Sequence, residues 1–324
     1  MSKIFLTGAS GFIGTHLVAT FLKRGDEVMN FDENPPQRSE HEPQWRKGSI
    51  MDAEGLAKAM KEFAPDIVIH LAARTDCVED TTVEEGYPVN TVGVKNVCEA
   101  IKANEASIKR VIMTSTQYVS GPGRLPEHDQ DYFPHTVYGH SKVEGERIVR
   151  AADLPMTWCF IRPVNIWGPY HARYGKEFWR IASKGLYLHP GVPSPTRAYG
   201  YIGNVVWQIE QILQADEETI QGKAIYVGDP PISIDKWSKG FVREFRGKDP
   251  MELPYPMLKL IAMGGDLISK VQGKPFYLTS SRLNSMTEDY LAPVEKTYEM
   301  FGPPPYTLEE GIKETVQWYR QEIG

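Results

Sequence analysis

Tyr138 and Lys142 stand four residues apart in "YGHSK", a spacing that puts both on one face of a helix. A phenol beside an ammonium is an acid–base pair. At its ordinary value of about 10 tyrosine is a poor base at neutral pH, and closing a gap of roughly 3 units takes about 4 kcal/mol of preferential phenolate stabilisation. A cation one helical turn away supplies part of that. The stretch "RVIMTST" ahead of the pair reads as a strand ending in hydroxyl side chains, and Thr116 is placed to hydrogen-bond a reacting oxygen. Such a set fits removal of a proton from an alcohol whose carbon gives up hydride. By itself Y-x-x-x-K is common, and a surface pair is its ordinary explanation.

Hydride needs an acceptor, and the N-terminal "FLTGASGFIGTHL" offers a place for one. Gly8, Gly11 and Gly14 lie between an apolar strand and an amphipathic helix that opens with Phe12 and Ile13. Gly8 suits the tight turn, Gly11 lets a pyrophosphate approach the backbone, and Gly14 lets the helix pack closely on the strand. Free N–H groups and positive dipole potential at the helix start favour the anion. Asp32 ends the second strand, 18 positions after Gly14, where a carboxylate accepts from both adenosine ribose hydroxyls and repels a 2′-phosphate. The pattern predicts NAD in preference to NADP, with Arg38 near enough in sequence to leave NADP open.

Strands "KIFLTG", "EVMNFD", "DIVIHLAA", "RVIMTST" and "TWCFIRPVNIWG" alternate with helical patterns through the first half. This rhythm implies an α/β fold, a Rossmann-type doubly wound parallel sheet with right-handed crossovers. We expect a dinucleotide domain over 1–167, with 201–229 returning to it. Residues 168–200 and 230–324 then form a smaller, mostly helical C-terminal substrate lobe. The 324 residues carry 36 basic and 42 acidic side chains, a net charge of −6 that argues against nucleic-acid binding. No apolar run is long enough to span a membrane. Three cysteines without metal-ligand spacing, and a start that runs straight into a strand without a leader pattern, fit a cytoplasmic protein with reduced thiols and no metal.

Taken in order, "TGASGFIG", "HLAA", "NTVGVKNV", "TSTQYVSG", "YGHSK" and "RPVNIWGP" make the chain resemble an extended short-chain dehydrogenase/reductase of the NAD-dependent epimerase/dehydratase family. The resemblance implies cofactor contacts at Gly8, Gly11, Phe12, Ile13, Gly14, Asp32, Ile50, Asp52, Leu71, Ala72, Ala73, Asn90 and Pro163. Asp52 would meet the adenine edge, although a helix cap explains it equally well. Tyr138 would be the acid/base. Lys142 would be its partner and a holder of the nicotinamide ribose, and Thr116 stands where the family has Ser or Thr.

On the substrate side the candidates are Thr75, Gln117, Tyr118, Asn165 and Arg197. In sugar-nucleotide members the counterparts of Asn165 and Arg197 meet the substrate diphosphate, for which a guanidinium is suited. A loop-stabilising amide and a surface ion pair are the plainer explanations of those two. The family's Asp at the end of the Arg197 segment is Asn204 here. Family dehydratases carry Thr-Asp-Glu where this chain has Thr116, Gln117 and Tyr118, so elimination of water lacks its acids. The implied activity is therefore sugar-nucleotide epimerisation, in an enzyme that dimerises through helices over Val92–Ala103 and Tyr138–Ala151. The C-terminal stretch from Leu253 resembles 3β-hydroxysteroid dehydrogenase-like members, in which a helix such as Pro256–Val271 covers an apolar substrate or meets a membrane surface. An ordinary amphipathic lid is the simpler reading. That stretch keeps a net NAD(P)-dependent dehydrogenase or ketoreductase, on a nucleotide-sugar or a sterol-like alcohol, as the alternative.

Overall fold

The computed structural model describes residues 1–192, 194–273, 276, 278–285 and 288–323. Its centre is a sheet of seven strands: β1 (Lys3–Thr7), β2 (Glu27–Asp32), β3 (Trp45–Lys47), β4 (Ile67–His70), β5 (Arg110–Thr114), β6 (Thr157–Pro163) and β7 (Ala224–Val227). All pair in parallel, in the order β7-β6-β5-β4-β1-β2-β3. Thr7 lies opposite Phe31 on one side and His70 on the other, so the strand order reverses across β1. In a doubly wound sheet the crevice for a ligand opens at the carboxyl ends of the strands flanking that reversal.

The principal helices are α1 (Phe12–Arg24), α2 (Ala53–Phe63), α3 (Pro88–Ala103), α4 (Val137–Ala151), α5 (Ile202–Gln214), α6 (Ile234–Arg246), α7 (Tyr255–Gln272) and α8 (Leu308–Glu322). The period-2 alternation of β1 divides the core. Ile4 and Leu6 pack with Leu17 and Phe21 of α1 and Val205 and Ile209 of α5. Phe5 points the other way, to Leu56 and Met60 of α2 and Val97 and Ile101 of α3. Strands buried on both faces explain the unbroken apolar runs in the sequence.

Two strands differ from expectation. "TWCFIRPVNIWG" is not one strand: β6 stops at Pro163, and Asn165–Trp167 pairs with Tyr199–Tyr201 in a separate two-stranded sheet. Between them the chain changes partners, Val164 N donating to Val227 O and Asn165 N to Ala198 O. The third strand, "WRK", carries no apolar run by which it could be anticipated. In the C-terminal half an aromatic cluster ties loops to helices. Trp237 of α6 stacks on Tyr199 at 4.8 Å and meets Trp167 edge-on, and α8, opened by a Thr307–Glu310 capping box, packs beside α6. No helix among the described residues is long and apolar enough to cross a membrane, and no group of side chains among them is arranged to hold a metal ion.

Candidate active site

The turn after β1 shows three different demands on its three glycines. Gly8 has φ +73°, and a Cβ there would lie 2.5 Å from Ala72 N. Only glycine combines that left-handed backbone with that approach. A Cβ on Gly14 would come within 2.3 Å of Ala9 Cα, so Gly14 closes the helix–strand contact. Gly11 is the exposed N-cap of α1, without a side-chain cap, and a Cβ there would meet nothing but Gly8 O at 3.1 Å. The start of α1 thus opens onto space that, around Gly11, no side chain among the described residues fills, the shape and polarity a diphosphate requires.

Asp32 stands at the end of β2, accepting from Ser10 N at 3.1 Å and Asn34 N at 2.9 Å. Those bonds fix the carboxylate beside the turn. Arg38 is turned to Glu40, its Nε donating to Oε1 at 2.9 Å, so its guanidinium is committed to a carboxylate rather than offered to a 2′-phosphate. The donors, the open helix start and the acidic residue together fit NAD. Asp52 caps α2 by accepting from Gly55 N at 3.0 Å. Ile50 is buried where Gly93 of α3 makes room for it.

Beyond His70 the chain leaves the sheet through Leu71, Ala72 and Ala73. Leu71 N still donates to Thr7 O. Asn90 of α3 holds this exit: its Oδ1 accepts from Arg74 N, and its Nδ2 donates to Arg74 O and to Ser141 Oγ, all at 2.9 Å. Ser141 in turn donates to Tyr138 O at 2.7 Å. Asn90 therefore fastens the exit loop to the helix that carries the candidate base.

Tyr138 and Lys142 are both buried on α4. Burial pushes the Tyr138 phenol above its ordinary range, while a hydrogen bond from the Thr116 side chain pulls it the other way. Burial also brings Lys142 down to about 8, opposed by the nearby Glu146 carboxylate, and Lys142 Nζ donates to Thr114 O at 2.8 Å. Burial therefore outweighs the hydrogen-bond contribution at Tyr138 and keeps its phenol above the ordinary range. The amine is engaged with the end of β5, and the phenol stays protonated. Glu146 is itself saturated by a buried pair with Arg162 (Nη2–Oε2 2.8 Å, Nε–Oε1 2.9 Å) and by Tyr132 OH.

Thr116 begins the turn after β5. Gln117 is buried with neither amide atom bonded among the described residues. The Tyr118 ring lies 5.8 Å from Tyr138, stacks on His135 at 5.6 Å and meets Tyr290 edge-on. Tyr290 reaches this wall from the C-terminal half, donating to Ser120 O at 2.7 Å, and its backbone pairs with Arg197. The charges of Arg197 and Arg173 both act on Tyr118. His135, Arg173 and Tyr290 escaped the sequence reading. Each sits in a loop or short helix with no period to mark it, and Tyr290 lies 170 positions from its hydrogen-bond partner.

The remaining candidates are placed less centrally. Arg197 Nε donates to Glu288 O at 3.2 Å, and among the described residues no carboxylate pairs with it. Asn165 Nδ2 donates to Ala198 O at 3.3 Å, a bond between loops. Thr75 is exposed beyond the exit loop, and Pro163 ends β6. Asn204 explains a departure from the family segment. Its amide donates to Asp229 Oδ1 at 2.8 Å and Tyr306 O at 2.9 Å, and its carbonyl accepts from Tyr306 N. An Asp could do neither donation and would set a second carboxylate against Asp229.

A parallel sheet with a glycine turn, an acid at the end of β2 and a buried Tyr–Lys–Thr set fits a dinucleotide-dependent oxidoreductase fold. The chain belongs to the NAD dependent epimerase/dehydratase family, which residues 4–228 match. It is 28% identical to an Escherichia coli O157:H7 N-acetyl-α-D-glucosaminyl-diphospho-ditrans,octacis-undecaprenol 4-epimerase, over 98% of this chain and 95% of that one. It is 32% identical to a 3β-hydroxysteroid dehydrogenase of Mycolicibacterium neoaurum, over 75% and 70% of the two chains. A Thermus thermophilus UDP-glucose 4-epimerase in complex with NAD shares its fold, with a TM-score of 0.73 and 23% identity over 99% of this chain and all of the other. Membership makes the chain an enzyme that uses NAD.

Proposed function

We propose that the protein is an NAD-dependent epimerase acting on a sugar carried by a diphosphate. The observation that carries this reading is the burial of Tyr138 and Lys142 on one helix with Thr116 buried at the end of β5, and Gln117 and Tyr118 where a dehydratase needs its acids. Bound NAD would supply the acceptor and later the donor of hydride at the sugar carbon. Thr116 holds the sugar hydroxyl, Tyr138 takes its proton as the hydride departs, and Tyr138 gives a proton back when the turned ketone is reduced. Lys142 would hold the nicotinamide ribose and, as an ammonium, would favour the phenolate. Gly8, Gly11 and Gly14 with the first turn of α1 hold the pyrophosphate, Asp32 the adenosine ribose, and Ile50 and Asp52 border the adenine.

The E. coli relative acts, by its name, on a diphosphate-linked sugar, and the Thermus protein on UDP-glucose. Arg197, free of carboxylates among the described residues, is the cation for such a diphosphate, with Asn165 beside it. Residues 168–200 and 230–324 form the substrate lobe. The enzyme works in the cytoplasm as a homodimer joined through α3 and α4. Free Cys77, Cys98 and Cys159 suit a reducing compartment, and Val92 stands exposed on α3.

The Tyr138→Phe substitution tests the base. Turnover is expected to fall by about 10²–10⁴ while bound NAD is retained. Full turnover with NAD intact removes Tyr138 from the reaction. The mycobacterial relative favours a second reading, net alcohol oxidation. Steady accumulation of reduced nicotinamide with substrate selects it, and turnover without net reduction selects the epimerase.

A further inference from the structure

β7 is the outermost strand of the sheet, and two side chains cap its free edge. Asp129 Oδ2 accepts from Ala224 N at 2.8 Å, and Thr297 Oγ1 donates to Tyr226 O at 2.6 Å. Between these caps lies a cavity of about 230 Å³, walled by the strand, the loop 126–129 and the short helix Glu295–Phe301. None of the residues assigned above to the cofactor or the sugar lines it. Arg162, Lys223, Lys296 and His128 do, against a single carboxylate, Asp129, which is committed to Ala224 N. Lys223 Nζ bonds a backbone oxygen, Glu218 O at 3.1 Å, and among the described residues no carboxylate pairs with Lys223 or Lys296. Glu127, Glu218, Glu295 and Glu299 are near in sequence but do not line the cavity.

The innermost of these groups is Arg162, only 1% exposed. Its Nε donates to Glu146, Nη2 to Glu146 and to Asp129 O, and Nη1 to Tyr226 OH. A guanidinium carries a further N–H on Nη1, and among the described residues it has no acceptor. His128 Nδ1 accepts from Gln130 N, so its Nε2–H is the donor left over. Donors thus come from the strand edge, the loop and the helix, an arrangement that suits a tetrahedral oxyanion. Pockets for drug-sized molecules run from roughly 300 to 1,000 Å³, so this one suits a small ion. Arg162 also reaches the helix of the candidate base. Its partner Glu146 stands one turn after Lys142 on α4, and the Glu146 carboxylate favours the Lys142 ammonium against burial. The other titratable groups beside Lys142 are the Tyr138 phenol and the His70 imidazole, which burial keeps neutral. Behind Glu146 stand Arg162 and Tyr132 OH. An anion drawing on Arg162 leaves Glu146 less neutralised, which favours the ammonium further.

We propose that the cavity at the outer edge of β7 binds inorganic phosphate, and that the bound ion acts through Arg162 and Glu146 to favour the ammonium form of Lys142. The binding stands on the cavity alone; the second clause rests on the role given to Lys142 above.

The test is equilibrium dialysis of radiolabelled phosphate against the full chain loaded with NAD, so that the glycine turn is already filled. Saturable uptake of a single ion per chain is expected, with sulfate competing and chloride at equal ionic strength not. Lys223→Gln with Lys296→Gln, both at exposed positions, is expected to weaken uptake about tenfold or more while leaving the phosphate-free melting temperature unchanged. Arg197→Gln, on the substrate side, is expected to leave uptake as it is. Absence of saturable uptake overturns the site, as does equal loss in chloride, which marks simple screening. Uptake that survives the lysine pair but is lost with Arg197→Gln also overturns it and gives the ion to the substrate cleft. For the second clause, NAD is titrated against pH with and without saturating phosphate. The pH at which affinity falls is expected to move up in the wild type and to stay put in the lysine pair, in which any competition for the glycine turn is the same. An unmoved midpoint with uptake intact overturns the coupling while the site stands. Affinity independent of pH in both conditions instead rejects the role given to Lys142.

Discussion

Lys142 is held at the edge of its charged state. Burial brings it to about 8 from an ordinary 10.5. Between those two values the folded chain binds fewer protons than the unfolded one, so this residue makes stability rise with pH across that window. For binding the sign is reversed, because it is the ammonium that serves the ribose and the phenolate. NAD affinity is expected to weaken as pH rises through about 8, measured by titrating the apo-enzyme with NAD; affinity flat from neutral pH to well above 8 would contradict the role given to Lys142. At Asn204 the same physics concerns two acids. Asp229 is pushed up to about 6 by burial and relies on the Asn204 amide and Tyr201 N. Asn204→Asp is expected to cost about 2–4 kcal/mol at neutral pH and less in mild acid, where the pair shares a proton. Denaturant unfolding at the two pH values reads this out. The identities of Tyr138, Lys142, Thr116 and Asp32 were legible because each is fixed by spacing to a strand or a turn. The protonated resting state of Tyr138 was not, because burial is a property of the assembled core.

The glycine turn was the most legible element, and the structure separates its members. Gly8→Ala must strain a left-handed backbone against Ala72, and Gly14→Ala must push α1 off Ala9. Each is expected to destabilise by about 1–3 kcal/mol and to abolish NAD binding. Gly11→Ala meets no more than one carbonyl, so it is expected to fold within about 1 kcal/mol of wild type and still lose affinity for NAD, because its methyl enters the diphosphate space. Thermal unfolding beside NAD titration distinguishes the three. Similarly, Asp32→Ala is expected to weaken NAD more than NADP; equal losses would undo the cofactor preference. The order of long strands and helices could be read because a buried parallel strand and an amphipathic helix carry different periods. β3 and the switch at Val164 could not. Three residues hold no period, and an exchange of ladder partners depends on Ala198 and Val227, far along the chain.

At the scale of the molecule, the aromatic wall of the cleft is closed by contacts made over long sequence separations, Tyr290 to Ser120 among them. That is why the cleft's aromatic wall was invisible in the sequence while its glycines and acid were plain. Sedimentation equilibrium is expected to give about twice the 36.6 kDa of the chain, and Val92→Arg on α3 to shift the balance to monomer. A monomer at all concentrations would place the exposed Val92 outside any interface. Lastly, Asn90 bonds Arg74 on one side and Ser141 on the other, and Ser141 bonds Tyr138. One buried amide thus makes the floor of the crevice and the start of α4 a single mechanical part. Deuterium uptake at the Arg74 amide, which bonds Asn90 Oδ1, should quicken when that side chain is lost, and the enzyme would then misplace the exit loop and the start of α4 together rather than either one alone.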